Sequence, residues 1–76
     1  MNSCKPILEW LREGGYNGEP LTEHLYRDGV WFGSVGKAQQ GRWAVYEAKA
    51  GEGVCFGSER TLDAARRVLE RKAVGK

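Results

Sequence analysis

The chain has few of the residues that mark chemistry: one histidine, two cysteines, one methionine and two prolines among 76 residues. His24 with Cys4 and Cys55, 51 positions apart, gives no metal-ligand spacing and no Cys-x-x-Cys redox pair. Three serines scattered around a single histidine give no nucleophile and base at readable spacing, so catalysis is not expected and no metal or cofactor is implied. No apolar run approaches the roughly 18 residues of a membrane span, and the first residues lack the apolar stretch of a signal peptide. These absences lead to the expectation of a cytoplasmic protein without membrane association. In a reducing compartment its two cysteines are expected to be buried free thiols.

Charge of one sign is also scarce, with twelve Lys and Arg against ten Asp and Glu and a net charge of +2. Its distribution is uneven. Residues 1–34 hold three bases and five acids, and residues 35–76 hold nine bases and five acids, so the halves carry −2 and +4. Such a lobe favours an anionic partner without demanding one.

What the chain does have is 41% hydrophobic residues, eight aromatics and eleven glycines that fall between short apolar runs. That is the punctuation of a sheet-containing protein. At this length there is room for one domain, residues 1–76, and its core is small. Ser3 can cap a short N-terminal helix in which Cys4, Ile7, Leu8 and Leu11 share a face, with Trp10 flanking it and Gly14-Gly15 ending it. A loop with Asn17-Gly18 and Pro20 follows. Asp28-Gly29 then joins Leu21 to Arg27 and Val30 to Val35 as a β-hairpin. Strands at Arg42 to Lys49 and Val54 to Gly57 extend it to a three- or four-stranded antiparallel meander.

Ser58 to Thr61 supplies capping side chains for a C-terminal amphipathic helix, with Asp63 in its first turn and Leu62, Ala65, Val68, Leu69 and Ala73 in one arc. The expected fold is α+β in two layers, both helices on one face of the sheet. The other face would then be open. Strict alternation places Val30, Phe32 and Ser34 opposite Trp31, Gly33 and Val35, and Trp43 and Val45 opposite Ala44 and Tyr46. Trp43 on the core side leaves Arg42 and Tyr46 together on the open face, where a base could stack on the phenol and a phosphate meet the guanidinium.

The remaining candidates are cationic. Lys37, Arg42 and Lys49 mark strand ends, where a sheet in a nucleic-acid groove places its phosphate contacts. Arg60, Arg67 and Arg71 form a stripe on the C-terminal helix, beside an expected i,i+4 pair of Asp63 with Arg67. Trp31 is the further aromatic of the candidate surface. Gly33-Ser34-Val35-Gly36-Lys37 is not a phosphate-binding loop, since Trp31 stands in place of its first glycine and Ala38 in place of its Ser or Thr. His24 reads as a strand or loop residue and not as a ligand.

Gly41-Arg42-Trp43, Phe56-Gly57-Ser58, and Thr61 with Ala64, Ala65 and Leu69 give residues 30–69 a pattern that resembles the three-strands-then-helix DNA-binding modules of phage-type integrase amino termini and AP2-like domains. The resemblance implies a sheet lying in the major groove, with Arg42 and Lys49 contacting DNA. The whole-chain order is also similar to the double-stranded-RNA-binding fold, whose basic cluster at the last helix is represented here by Arg60. Nucleic-acid binding through the sheet face is therefore the leading expectation. The alternative is a small phage- or prophage-type protein that binds and inhibits a host protein, as anti-CRISPR proteins do. Short length, no readable active site and spare aromatic surface favour that class, and a homodimer through the same face is its variant.

Overall fold

The computed structural model describes residues 5–15 and 21–75. Five strands, β1 (Leu8–Gly14), β2 (Leu21–Arg27), β3 (Val30–Lys37), β4 (Trp43–Lys49) and β5 (Glu52–Glu59), precede one helix, α1 (Leu62–Val74). The strands lie in the order β1-β2-β3-β4-β5, each antiparallel to its neighbour. A single 3₁₀ turn, Gln39–Gly41, separates β3 from β4. The expected cap Ser3, the expected apolar-face residue Cys4, and the expected loop residues Asn17, Gly18 and Pro20 lie outside the described residues.

The expected N-terminal helix is a strand, and the meander has five members instead of three or four. Leu8, Trp10 and Arg12 alternate with Glu9, Leu11 and Glu13, and this period of two matches β2 in register from Leu8↔Arg27 to Gly14↔Leu21. A helix of this length is marginal in water, whereas the strand adds a full ladder of backbone bonds to an existing sheet. Asp28 closes the start of the strand: its backbone N–H donates to Ile7 O at 2.8 Å, and its Oδ1 accepts from Ile7 N at 3.0 Å.

Two hairpin turns use left-handed pairs, Asp28-Gly29 (φ 53° and 82°) and Ala50-Gly51 (φ 54° and 82°). Paired positive φ values match the twist of the flanking strands. Thr61 caps α1, its Oγ1 accepting from Ala64 N at 3.1 Å, with Asp63 in the first turn and Arg71 and Lys72 in the last. Both charge placements complement the helix dipole.

Helix α1 covers one face of the sheet. Ala65, Leu69 and Ala73 meet Leu25, Val35 and Val45, with Trp10, Phe32, Trp43, Leu62 and Val68 packed at the margin. Leu25, Leu69, Val35 and Val45 are fully buried, each stabilising the fold by about 1.5–3 kcal/mol. The close approach depends on Gly33, where a Cβ would strike Tyr46 O and the methyls of Leu69.

Strict alternation fails at two bulges. Leu25 pairs with Gly33 but Tyr26 with Trp31, so Phe32 is an extra residue in β3. Val45 pairs with Gly57 but Tyr46 with Cys55, so Phe56 is an extra residue in β5. The first bulge corrects the expected faces: Phe32 joins Gly33 and Val35 on the helix side, and Trp31 joins Ser34 on the other. At the second, Phe56 sits under the Lys72 ammonium, 5.2 Å from its ring centroid. Cys55 is exposed and not buried as expected, because it lies on edge strand β5 facing away from α1.

Candidate interaction surface

The face opposite α1 is built in cross-strand rows. Glu9, Tyr26 and Trp31 form one row. Leu11, His24, Ser34, Tyr46 and Cys55 form the next, and Glu13, Thr22, Gly36, Ala44 and Ser58 the third. The middle of the surface is aromatic and small apolar. Trp31 lies flat, its ring edge within 3.8 Å of where a Cβ on Gly53 would sit, so the indole reaches from β3 across to β5. Leu11 is 56% exposed.

A chain of hydrogen bonds fixes these side chains. Trp31 Nε1 donates to Ser34 Oγ at 3.0 Å and to Gly33 O at 2.9 Å. His24 Nε2 lies 2.7 Å from Glu13 Oε1, and His24 Nδ1 lies 2.6 Å from Ser34 Oγ. A carboxylate only accepts, so Nε2 carries a hydrogen, and Nδ1 shares its hydrogen bond with the Ser34 hydroxyl. Sequence spacing alone does not bring Ser34, His24 and Glu13 together; the register His24↔Ser34 does. The order resembles a hydrolytic triad, but Ser34 is only 5% exposed and its oxygen already accepts from the indole. An attacking serine needs an accessible oxygen beside oxyanion donors. The chain is therefore an ordering device for the surface.

Arg42 lies on this face with Ala44 and Tyr46. Its Nε donates to Ser58 Oγ at 3.0 Å and its Nη2 to Ser58 O at 3.3 Å. Among the described residues no carboxylate pairs with it.

The nominated residues divide between the two sides of the molecule. Trp31, Arg42 and Tyr46 share the open face. Lys37 is on the α1 side, its ammonium 5.7 Å from the ring centroid of Trp43, its cross-strand partner. Lys49 pairs across the β4–β5 turn with Glu52 and has the same parity as Glu47, which reaches Lys72 on α1 at 3.8 Å. Arg60 occupies the bend before α1, and Arg67 and Arg71 line a shallow cleft on the outer side of α1 with Glu70, Val74 and Gly75. Asp63 pairs with Arg66 at 3.7 Å, one position earlier than the expected Arg67.

A second concavity, about 540 Å³, lies between β1 and α1 and is lined by Trp10, Arg12, Glu23, Asp63, Arg66, Arg67 and Glu70. Its charges answer one another. Glu23, 4% exposed at its side chain, accepts from Arg66 Nε at 2.5 Å and Nη2 at 2.7 Å, with Arg12 at 3.5 Å. The Arg66 hydrogen bonds outweigh burial and hold the Glu23 carboxyl below its ordinary range. Trp10 Nε1 donates to Glu70 Oε2 at 2.7 Å. Arg66 is paired with Glu23 and Asp63, and Arg12 with Glu23, so this cleft is a structural brace between the first two strands and the helix.

Among the described residues no cluster of His, Cys, Asp or Glu could hold a metal ion, and no helix is long and apolar enough to cross a membrane. No family model, curated protein or solved structure matches the chain.

Proposed function

We propose that this domain is a non-catalytic protein-interaction module that works through the open face of its sheet. The observation that carries the reading is the separation of aromatics from cations. Binding to a single strand needs stacking rings and phosphate-neutralising bases along one groove. Here Trp31, Tyr46 and Tyr26 share a face with one arginine and with Glu9 and Glu13, while Lys37, Arg67 and Arg71 lie toward or on the helix side. A face of aromatic and small residues with a sparse charged rim fits the desolvated centre of a protein interface. The hydrogen-bonded chain from Trp31 to Glu13 holds its side chains in place before a partner arrives, which lowers the ordering cost of association.

The test is a pair of experiments. Fluorescence anisotropy with single- and double-stranded oligonucleotides at low salt is expected to show no binding that depends on Arg42 or Tyr46. Salt-dependent binding weakened by both Arg42→Ala and Tyr46→Ala would overturn the reading and restore the nucleic-acid one. In parallel, a protein partner, once in hand, should bind the wild type and the Arg67→Ala/Arg71→Ala variant equally and lose the Tyr46→Asp variant.

A further inference from the structure

We infer that the partner of the open face is a second copy of this chain, packed sheet on sheet with the two-fold axis running along the strands. This inference rests on the protein-interaction reading of that face and specifies its occupant.

The charges of the face choose the axis. Glu13 ends the third row on β1. Ser58 ends the same row on β5, and the Arg42 guanidinium is bonded to it. The row is thus acidic at one end and basic at the other. A two-fold axis along the strands lays β1 of one copy over β5 of the other and keeps each row on its own level. Glu13 then meets Arg42 of the other copy twice per dimer. The alternative axis, across the strands, lays β1 on β1 with its rows reversed and sets Glu9 against Glu13, a repulsive contact. Charge complementarity therefore favours one isologous arrangement over the other.

The same arrangement sets Leu11 over Cys55, Tyr26 over the small β4 side chain of Ala48 and the His24 ring over the Tyr46 ring, while Trp31 on the central strand meets its own counterpart. Leu11, 56% exposed, loses its water contact. Glu13 uses one oxygen on His24 and keeps the other for the incoming guanidinium. Arg42 spends two of its five donors on Ser58. Neither contact requires a buried group to be unpaired.

Five strands spaced about 4.8 Å and about seven residues long make a face about 24 Å on each side. Two such faces bury roughly 1,100 Å² in total, at the lower limit of specific interfaces. The dimer is accordingly weak and concentration-dependent. The free edges compete poorly for this role: β5 carries a bulge at Phe56, which disrupts pairing, and β1 presents Glu9, Arg12 and Glu13 in close succession.

Sedimentation equilibrium over a range of concentrations tests the proposal. The wild type should rise from the 8.5 kDa of one chain toward twice that mass. Glu13→Arg alone and Arg42→Glu alone should each stay monomeric, since each places like charges together at both contacts. An equimolar mixture of the two variants should dimerise again, because every contact between unlike variants is once more acid to base. Circular dichroism confirms that the variants fold, and the mixture is informative even if one is less stable. A wild type that stays monomeric into the millimolar range overturns self-association. If the Tyr46→Asp variant then also loses an unlike protein that the wild type binds, the face belongs to that protein and the interaction reading survives without the dimer. A wild-type dimer that tolerates both single substitutions overturns the proposed face and axis.

Discussion

The two faces of the sheet solve different problems with the same strands. On the side of α1, Leu25, Val35, Val45 and Leu69 are withdrawn from water and the buried carboxylate of Glu23 is gripped by Arg66. On the other side Ser34 and Ala44 are buried, but the rings, Leu11 and Arg42 remain in contact with solvent. A residue that is buried by the fold itself reports on stability when altered. One that is only half covered, yet fixed by hydrogen bonds, is available to report on association. The comparison teaches that this small domain concentrates its stability on one face and leaves the other ordered but not consumed.

Removing a pillar of the covered face should have the largest effect. Leu69→Ala leaves a cavity between α1 and the sheet where the surroundings are fully packed, and should cost about 2–5 kcal/mol in chemical denaturation. Domains of this size have a net stability of only roughly 3–5 kcal/mol, so the variant should be partly unfolded without denaturant. A loss under about 1 kcal/mol would show that α1 is not held through Leu69.

Glu23→Gln comes next, with a cost of about 1.5–3 kcal/mol from losing a charge-assisted bidentate pair. It also carries a pH signature. The folded-state pKa of Glu23 lies below its ordinary 4.5, so the unfolded chain takes up the proton first. The stability that Glu23 contributes is complete above that ordinary value and is lost as pH falls through the lower folded value. Wild-type stability should therefore fall more steeply than that of Glu23→Gln on acidification below about pH 4.5. Parallel acid unfolding curves for the two proteins would remove Glu23 from this role.

Gly33→Ala should cost about 1–3 kcal/mol by overpacking, since the new methyl meets Tyr46 O and Leu69. Thermal unfolding measures it. Adding Leu69→Val should recover little of the loss, because the nearest contact of the new methyl, the Tyr46 backbone oxygen, stays in place.

Much of this division was readable from the chain. Asp28-Gly29 marked its hairpin, and the spacing of Leu62, Ala65, Leu69 and Ala73 marked the face of α1 that packs. Trp43 and Val45 stood opposite Ala44 and Tyr46, so Arg42 and Tyr46 fell together. Two kinds of information were not local. Each bulge adds one residue, and one residue reverses the facing of everything beyond it, which is why Trp31 and Phe32 exchange sides. The first strand failed for a related reason: Ile7, Leu8 and Leu11 fit a helical stripe, and only pairing with β2 selects the period of two. Glu23 with Arg66, 43 residues apart, has no sequence signature at all.

The smallest effect on stability should come from the open face, and there the contrast between the two faces is most exposed to failure. Tyr46 is half buried on the second row, between His24 and Ser34 on one side and Cys55 on the other, and nothing of α1 rests on it. Tyr46→Ala at concentrations where the chain is monomeric should therefore cost under about 1 kcal/mol, within the range of surface substitutions. At concentrations where the wild type dimerises, the same change should remove the dimer, because an aromatic near the centre of a small interface carries a disproportionate share of its energy. Paired measurements of unfolding and of sedimentation on one variant thus separate the two faces. If Tyr46→Ala destabilised the monomer as much as Leu69→Ala, the open face would belong to the core, and the division of labour between the faces would be wrong.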